Sequence, residues 1–136
     1  MIDQQTRELV RERARNRCEY CLIPQEYLPL ITFPVDHIIA KQHGGDSQSN
    51  NLCLSCLKCN LQKGPNIASL DPDTGLLVPL YNPRIDKWTD HFQYAGETIT
   101  GLTPVGRATI QLLGFNQEQQ IELRQALITD GWPLDP

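Results

Sequence analysis

Apolar residues are thinly spread along this chain, and the first element that their pattern predicts is a largely polar helix. Asp3 is of a type that caps helices, Ile2 lies just outside the cap, and the helix is predicted to run to about Asn16. Arginines recur at every fourth position along it and share one face: Arg7, Arg11 and Arg15. That face is either exposed to solvent or turned towards phosphate, and the pattern favours neither.

Two short strands and a second helix are predicted next. Residues 31–39 are typical of a strand, which Pro34 restricts to a sheet edge or a break. Residues 52–54 predict a second strand, after a polar loop. A short helix is predicted from near Lys58 to Gly64-Pro65, a pair that ends helices.

The second half of the chain predicts a mixture of strand and helix. Residues 76–81 are strand-like, and residues 103–114 predict a helix with proline in its first turn. Asn116 and Gln119 have the spacing of a capping box, which predicts the start of a last helix.

Length and composition are consistent with one small core and an appendage. We predict a core in residues 1–70 and a C-terminal α/β extension, residues 71–136, that packs on it. The apolar fraction is 40%, and no stretch approaches the ~20 apolar residues that cross a bilayer. The N-terminus also lacks the apolar segment of a signal peptide. We therefore expect a cytoplasmic protein with no membrane partner, while oligomeric state leaves no sequence signal.

The net charge of −4 argues at first against a nucleic-acid partner, but the charge is unevenly distributed. Residues 1–66 carry eight Lys/Arg and seven Asp/Glu, a net of +1. Residues 67–136 carry four and nine, a net of −5. The first half can therefore accept phosphate, whereas the second half is unsuited to it.

Cysteine spacing predicts a metal site. Two C-x-x-C pairs, Cys18 with Cys21 and Cys56 with Cys59, are separated by 34 residues. In a reducing compartment this pattern favours metal over disulfides, and four thiolates fill the tetrahedral sphere of a structural zinc ion. The remaining cysteine, Cys53, is expected to pack inside the second strand.

The segment between the cysteine pairs carries the elements of a known motif. In chain order these are Arg15-Asn16-Arg17-Cys18, Val35-Asp36-His37-Ile38-Ile39, Gly44-Gly45, Asn50-Asn51-Leu52 and Cys59-Asn60-Leu61-Gln62-Lys63-Gly64. They resemble the HNH endonuclease family in its zinc-bound form, over about residues 13–66. The resemblance implies an α+β fold with a zinc-stapled ββα-metal (His-Me finger) core, in which a two-stranded hairpin packs on a helix. The third family position is Asn60 rather than histidine, as in some active members.

The resemblance also implies roles for individual residues. His37 would be the general base, since a neutral imidazole can take a proton from water. Asp36 and Asn60 would hold one divalent cation, and their oxygen ligands suit Mg²⁺ or Mn²⁺. Asn51 would orient the loop of His37. Lys63 and Lys58 are expected to contact flanking phosphates, and His43 is either a further phosphate contact or an exposed loop histidine.

These assignments lead to two competing functions. The first is a metal-dependent endonuclease that hydrolyses phosphodiester bonds in DNA, with double-stranded DNA as the expected partner. The alternative is a non-catalytic, zinc-stapled nucleic-acid-binding module, which the acidic second half leaves open. A thiol redox protein is disfavoured, because zinc would consume four of the five thiols.

The C-terminal extension resembles one carried by some bacterial HNH proteins, in residues 79–84, 88–92 and 106–109. Its aromatic residues, Trp88, Phe92 and Tyr94, are expected to pack the extension onto the core rather than to stack on bases. His91 is either a second metal ligand or a structural residue.

Overall fold

The computed structural model describes residues 2–136 and divides into two compact units. Unit 1 contains the chain up to Ile67 together with Asn82–Ile85, and unit 2 contains Ala68–Tyr81 and Asp86–Pro136. Both helices and strands are present, which confirms the predicted mixture of α and β structure. No helix within the described residues is long and apolar enough to span a bilayer.

Unit 1 is built from a helix, a hairpin and a second helix. Its elements are α1 (Gln4–Arg13), β1 (Val35–His37), β2 (Leu52–Leu54) and α2 (Leu57–Lys63). Strands β1 and β2 are antiparallel, with Asp36 opposite Cys53 and His37 opposite Leu52. The hairpin is therefore very short, and its connection of residues 38–51 is longer than both strands together.

Helix α1 begins as predicted, because the Asp3 carboxylate accepts a hydrogen bond from the Thr6 amide at 2.7 Å. Two arginines then tie the helix to the hairpin. Arg11 donates to the carbonyl of Phe33 at 2.7 Å, just before β1. Arg13 donates to the carbonyl of Leu52 at 2.8 Å, at the start of β2. Arg11, one of the three arginines predicted to share a helix face, therefore has a structural role and is not available to bind phosphate.

The core of unit 1 is small. Its fully buried apolar side chains are Val10, Tyr20, Ile23, Phe33, Leu52 and Leu54. Cores of this size contribute only a few kcal/mol of net stability, so small units commonly depend on a metal or disulfides.

Unit 2 contains two hairpins and three helices. Its elements are β3 (Ala68–Leu70), β4 (Leu77–Pro79), α3 (Trp88–His91), β5 (Phe92–Ala95), β6 (Thr98–Gly101), α4 (Pro104–Leu113) and α5 (Glu118–Thr129). Strand β3 pairs antiparallel with β4, and β5 pairs antiparallel with β6.

A buried ion pair holds the first hairpin of unit 2 to helix α4. Arg107 donates to both carboxylate oxygens of Asp71 at 2.9 Å, and Asp71 is fully buried. These hydrogen bonds hold the pKa of Asp71 below its ordinary range. Gly106 lies against the carbonyl of His91, where a Cβ would come within 2.1 Å of the oxygen. The Gly106-Arg107 sequence is therefore explained by packing.

Three expectations about the extension are revised or refined. The capping box does not form: α5 begins after Gln117, and the Asn116 side chain instead accepts from the Ile99 amide at 2.9 Å. Trp88, Phe92 and Tyr94 pack on one another within unit 2, with ring centroids 5.1 and 5.3 Å from that of Trp88. His91 bonds the Thr103 hydroxyl at 2.6 Å, which is a structural role.

Candidate functional site

The four predicted zinc ligands meet in one buried cluster. The sulfurs of Cys18, Cys21, Cys56 and Cys59 all lie within 4.8 Å of one another, and the Cys21 and Cys56 sulfurs are 3.8 Å apart. A tetrahedral zinc with Zn–S bonds of about 2.3 Å holds its sulfurs about 3.8 Å apart. The cluster therefore fits a structural zinc ion, and it is the only such group among the described residues.

Backbone amides form a matching pair of turns around these sulfurs. The Cys21 amide points at the Cys18 sulfur at 3.5 Å, and the Cys59 amide points at the Cys56 sulfur at 3.4 Å. Burial raises the pKa of the Cys18 thiol. Hydrogen bonds from the other three thiols outweigh that effect and hold the pKa well below its ordinary value. Amide donors favour thiolates, which are the form that binds metal.

Cys53 lies outside the cluster, as expected. It is fully buried in β2 and contacts the Tyr20 hydroxyl at 3.6 Å. Burial raises the pKa of the Cys53 thiol to about 12. A thiol in this environment stays protonated and unreactive.

Asp36 and Asn60 come together at the end of β1 and in α2. The Asn60 amide group lies 3.2 Å from both carboxylate oxygens of Asp36. With its nitrogen towards Asp36, the amide donates two hydrogen bonds to the carboxylate. Turned by half a rotation, it presents an oxygen beside two carboxylate oxygens, which is the donor set that hard divalent cations prefer. Asp36 and Asn60 are thus the residues of this hairpin and helix that could hold a divalent cation, in place of the hydrogen bonds between them.

Lys63 takes a different position from the one expected. Its side chain is 1% exposed, and its ammonium donates to the carbonyl of Ile38 at 2.9 Å. Burial lowers the pKa of Lys63, and the charge of Asp36 opposes that shift. In turn, burial raises the pKa of Asp36, and Lys63 opposes this. The expected phosphate contact is revised, because a buried ammonium that already binds a carbonyl is not presented to a phosphate.

His37 is the last residue of β1 and is half-buried. Its Nε2 lies 2.9 Å from the Ser47 hydroxyl. Nδ1 has no hydrogen-bond partner among the described residues. Ser47 was missed from the sequence, where a serine in a polar loop gives no signal of a contact ten residues away.

Asn51 is buried directly before β2 and closes the loop that follows β1. Its amide oxygen accepts from the Ile39 amide at 2.9 Å. Its amide nitrogen donates to the carbonyls of Ile39 at 3.0 Å and Asp46 at 2.8 Å. Gly45 packs so closely here that a Cβ would lie 1.7 Å from the Ile39 carbonyl oxygen. Asn51 and Gly45 thus allow the two ends of the loop to be held together.

Replacing Asn51 with alanine is expected to destabilise unit 1 by about 2–4 kcal/mol, because three backbone groups lose their partner and an unsatisfied buried group costs about 1–3 kcal/mol. Denaturant unfolding followed by far-ultraviolet circular dichroism measures the change in the free energy of unfolding. Asn50→Ala is the matched control, since Asn50 is exposed and precedes Asn51 directly. Equal stability of the two variants would contradict the role given to Asn51.

The remaining expected phosphate contacts lie at the surface of unit 1. His43 is exposed in the short 3-10 turn Lys41–His43, and Lys58 is half-buried in the first turn of α2. As phosphate contacts, His43 and Lys58 therefore stay predictions.

A contact that sequence reasoning missed supports the first cysteine turn. Glu19, between Cys18 and Cys21, accepts from the Leu54 amide at 2.8 Å and pairs with Arg84. Arg84 belongs to the short Asn82–Ile85 segment that is part of unit 1. Burial lowers the pKa of its guanidinium to about 10, with a further contribution from Arg13. The cysteine turn is thus tied to β2 and to the Asn82–Ile85 segment.

Comparisons with known proteins give a family for one part of the chain. Residues 18–66 match the family model described as HNH endonuclease. The chain is also similar to the Septu protein PtuB of Bacillus thuringiensis, with 24% identity over 127 residues. That match covers 86% of this chain but only 43% of the relative, so the chain spans less than half of the relative's length. No solved structure matches the chain significantly.

Proposed function

Because the chain carries an HNH endonuclease domain at residues 18–66, we propose that it is a metal-dependent endonuclease that hydrolyses phosphodiester bonds in DNA. The observation that supports this most directly is the approach of the Asn60 amide to within 3.2 Å of both Asp36 carboxylate oxygens. His37 is adjacent to Asp36 in the same strand, so a cation ligand pair and a proton acceptor occur together.

We assign the β1–β2 hairpin and α2 to a ββα-metal core. Asp36 and His37 end the first strand, Asn51 precedes the second, and Asn60 lies in the helix. The four-cysteine cluster holds the helix start, because Cys56 is both a cluster member and the cap of α2. In this assignment the core ends near residue 70 but also includes Asn82–Ile85, and the rest of residues 71–136 is an extension of separate role.

Each residue then has one task. A Mg²⁺ or Mn²⁺ ion held by Asp36 and Asn60 would supply positive charge for the scissile phosphate and the leaving oxygen. His37 accepts the proton of the attacking water. Asn51 holds the backbone after His37 through Ile39. Lys63 places a buried positive charge near Asp36, which favours the ionised carboxylate that binds metal.

Double-stranded DNA is the substrate that we propose, with contacts to its phosphates from Lys58 and His43. A hydrolase that uses a bound cation and one imidazole acts on the phosphodiester backbone, so it does not need to recognise the base sequence of the DNA. A buried four-cysteine metal cluster fits a reducing compartment, and we place the protein in the cytoplasm on this ground.

The alternative is a non-catalytic nucleic-acid-binding module. The net charge of the whole chain is −4, so phosphate attraction is weak for either function. A cleavage assay separates the two functions, since a binding module retains DNA without nicking it.

The test is incubation of purified protein with supercoiled plasmid over a range of Mg²⁺ or Mn²⁺ concentrations. We expect nicked or linear product with either ion and none with EDTA. Asn60→Ala should require a much higher metal concentration for the same rate, because one of two ligands is lost. Asn60→His should stay active and accept a wider set of divalent ions, since imidazole suits softer ions than an amide does.

Gln62→Ala is the matched control for Asn60, since Gln62 is exposed on the same helix. We expect it to behave as the unaltered protein. An unchanged metal dependence in Asn60→Ala would contradict the assignment of the second ligand. Absence of cleavage under all ions, with DNA still retained, would select the binding module.

A further inference from the structure

The loop after β1 brings Ser47 back to His37. Asn51 bonds the Ile39 backbone and the Asp46 carbonyl, so the residues on either side of the loop are held by one amide group. Ile39 lies two residues after His37, and Asp46 lies directly before Ser47. Gly45 allows the close approach, because any side chain there would overlap the Ile39 carbonyl. The 2.9 Å contact between His37 Nε2 and the Ser47 hydroxyl is the result of this closure.

From this geometry we propose that Ser47 is a positioning residue for the His37 imidazole, which it holds through Nε2 so that Nδ1 is the atom that accepts the proton of water. The inference rests on the proposed function, in which His37 is the general base. It adds a residue and an atom that neither the family match nor the sequence pattern assigns.

The assignment of Nδ1 follows from what each nitrogen can do. A neutral imidazole has one N–H and one free lone pair, and the hydrogen bond at one nitrogen decides which is which. Nε2 is occupied by Ser47, whereas Nδ1 has no partner among the described residues. A base needs its lone pair at the open nitrogen, so Nε2 carries the hydrogen and donates it to the Ser47 oxygen. When water transfers a proton to Nδ1, the Nε2–H···Oγ bond is retained and the ring does not have to turn.

The alternative direction, with the Ser47 hydroxyl donating to Nε2, would place the hydrogen on Nδ1. The open nitrogen would then be a donor and could not remove a proton from water. The same 2.9 Å contact is compatible with either direction, so the experiment has to locate the ring hydrogen as well as measure rate.

Two variants of equal shape separate the hydroxyl from the packing of the side chain. Ser47→Thr keeps the hydroxyl, and Ser47→Val replaces it with a methyl group of similar size. Ser49→Ala controls for removal of a hydroxyl from the same loop, since no side-chain contact of Ser49 is involved in the closure. The full chain is used throughout, with zinc content measured for each protein.

Plasmid cleavage with saturating Mg²⁺ or Mn²⁺ gives the first readout. We expect kcat to fall about 10- to 100-fold in Ser47→Val, the usual range for loss of a group that orients a site residue. KM should be unchanged, because a residue that acts only by positioning His37 makes no contact with the substrate. Ser47→Thr should restore most of kcat, and Ser49→Ala should match the unaltered protein. Equal kcat in the Thr and Val variants would overturn the proposal.

The second readout is nitrogen-15 NMR of the His37 ring, which does not depend on cleavage. We expect a ring N–H signal correlated with Nε2 in the unaltered protein and in Ser47→Thr, because the hydrogen bond slows exchange with water. The signal should disappear in Ser47→Val. A ring hydrogen on Nδ1 in the unaltered protein would overturn the inference while leaving the proposed nuclease intact. If the protein does not cleave DNA at all, the proposed function fails, and with it the role of Ser47 in cleavage, whereas the NMR result still decides whether Ser47 holds the ring.

Discussion

Removing zinc from the protein is expected to unfold unit 1. The four-cysteine cluster brings the two cysteine turns together, and the surrounding core is small. Binding to structural zinc sites contributes about 10–16 kcal/mol in zinc-finger peptides, whereas whole domains are stable by about 5–15 kcal/mol. Loss of the metal is therefore expected to remove a free energy as large as the whole stability of unit 1.

Elemental analysis should find about one zinc per chain. A strong chelator, or the variant Cys56→Ser, should then abolish slow amide hydrogen exchange in β1, β2 and α2. Cys53→Ala is the matched control, because Cys53 is equally buried but lies outside the cluster. It should keep the zinc and lose only modest stability. Zinc-free protein with all five thiols freely titratable in the native state would contradict the cluster's role.

Replacing His37 with alanine is expected to lower the cleavage rate by about 10²–10⁴-fold, the usual cost of removing a general base. DNA affinity, zinc content and fold should be retained, because the cysteines hold the unit and the proposed phosphate contacts are made by other residues. Asp36→Ala should also stop cleavage, but through loss of the cation. Added Mn²⁺ should therefore partly rescue Asp36→Ala and leave His37→Ala inactive.

The measurements are single-turnover cleavage of a supercoiled plasmid, together with DNA binding in a buffer that contains Ca²⁺ in place of Mg²⁺. His37→Gln is a useful second variant, since it retains a polar side chain that can still bond Ser47. It should be as inactive as His37→Ala. Full activity of His37→Ala would end the proposal that this residue is the base.

Local features of unit 1 could be predicted from sequence because they depend on short spacings. Asp3 caps α1 as expected, and the C-x-x-C pairs form tight turns whose amides face the sulfurs. The two cysteine pairs are separated by 34 residues, and no local pattern brings them together. Their approach could be predicted because a tetrahedral zinc ion needs four ligands.

Features that depend on burial could not be predicted in this way. Lys63 looked like a phosphate contact because lysine is usually exposed, and no pattern in the sequence shows that its ammonium is buried against the Ile38 carbonyl. Ser47 gave no signal because its partner depends on how Asn51 closes the loop. Asn116 has the spacing of a cap, but a longer-range bond to the Ile99 amide satisfies its side chain instead.

The double role of Cys56 has a consequence for how the protein is made. This residue both joins the zinc cluster and caps α2, the helix that carries Asn60. A ribosome releases the first cysteine pair, Asp36 and His37 well before the second pair and Asn60 emerge. The newborn chain thus holds Asp36 and His37 early but has neither Asn60 nor the helix that carries it. If the cluster holds zinc, formation of α2 and the approach of Asn60 to Asp36 are therefore expected to depend on the metal being present when the chain folds.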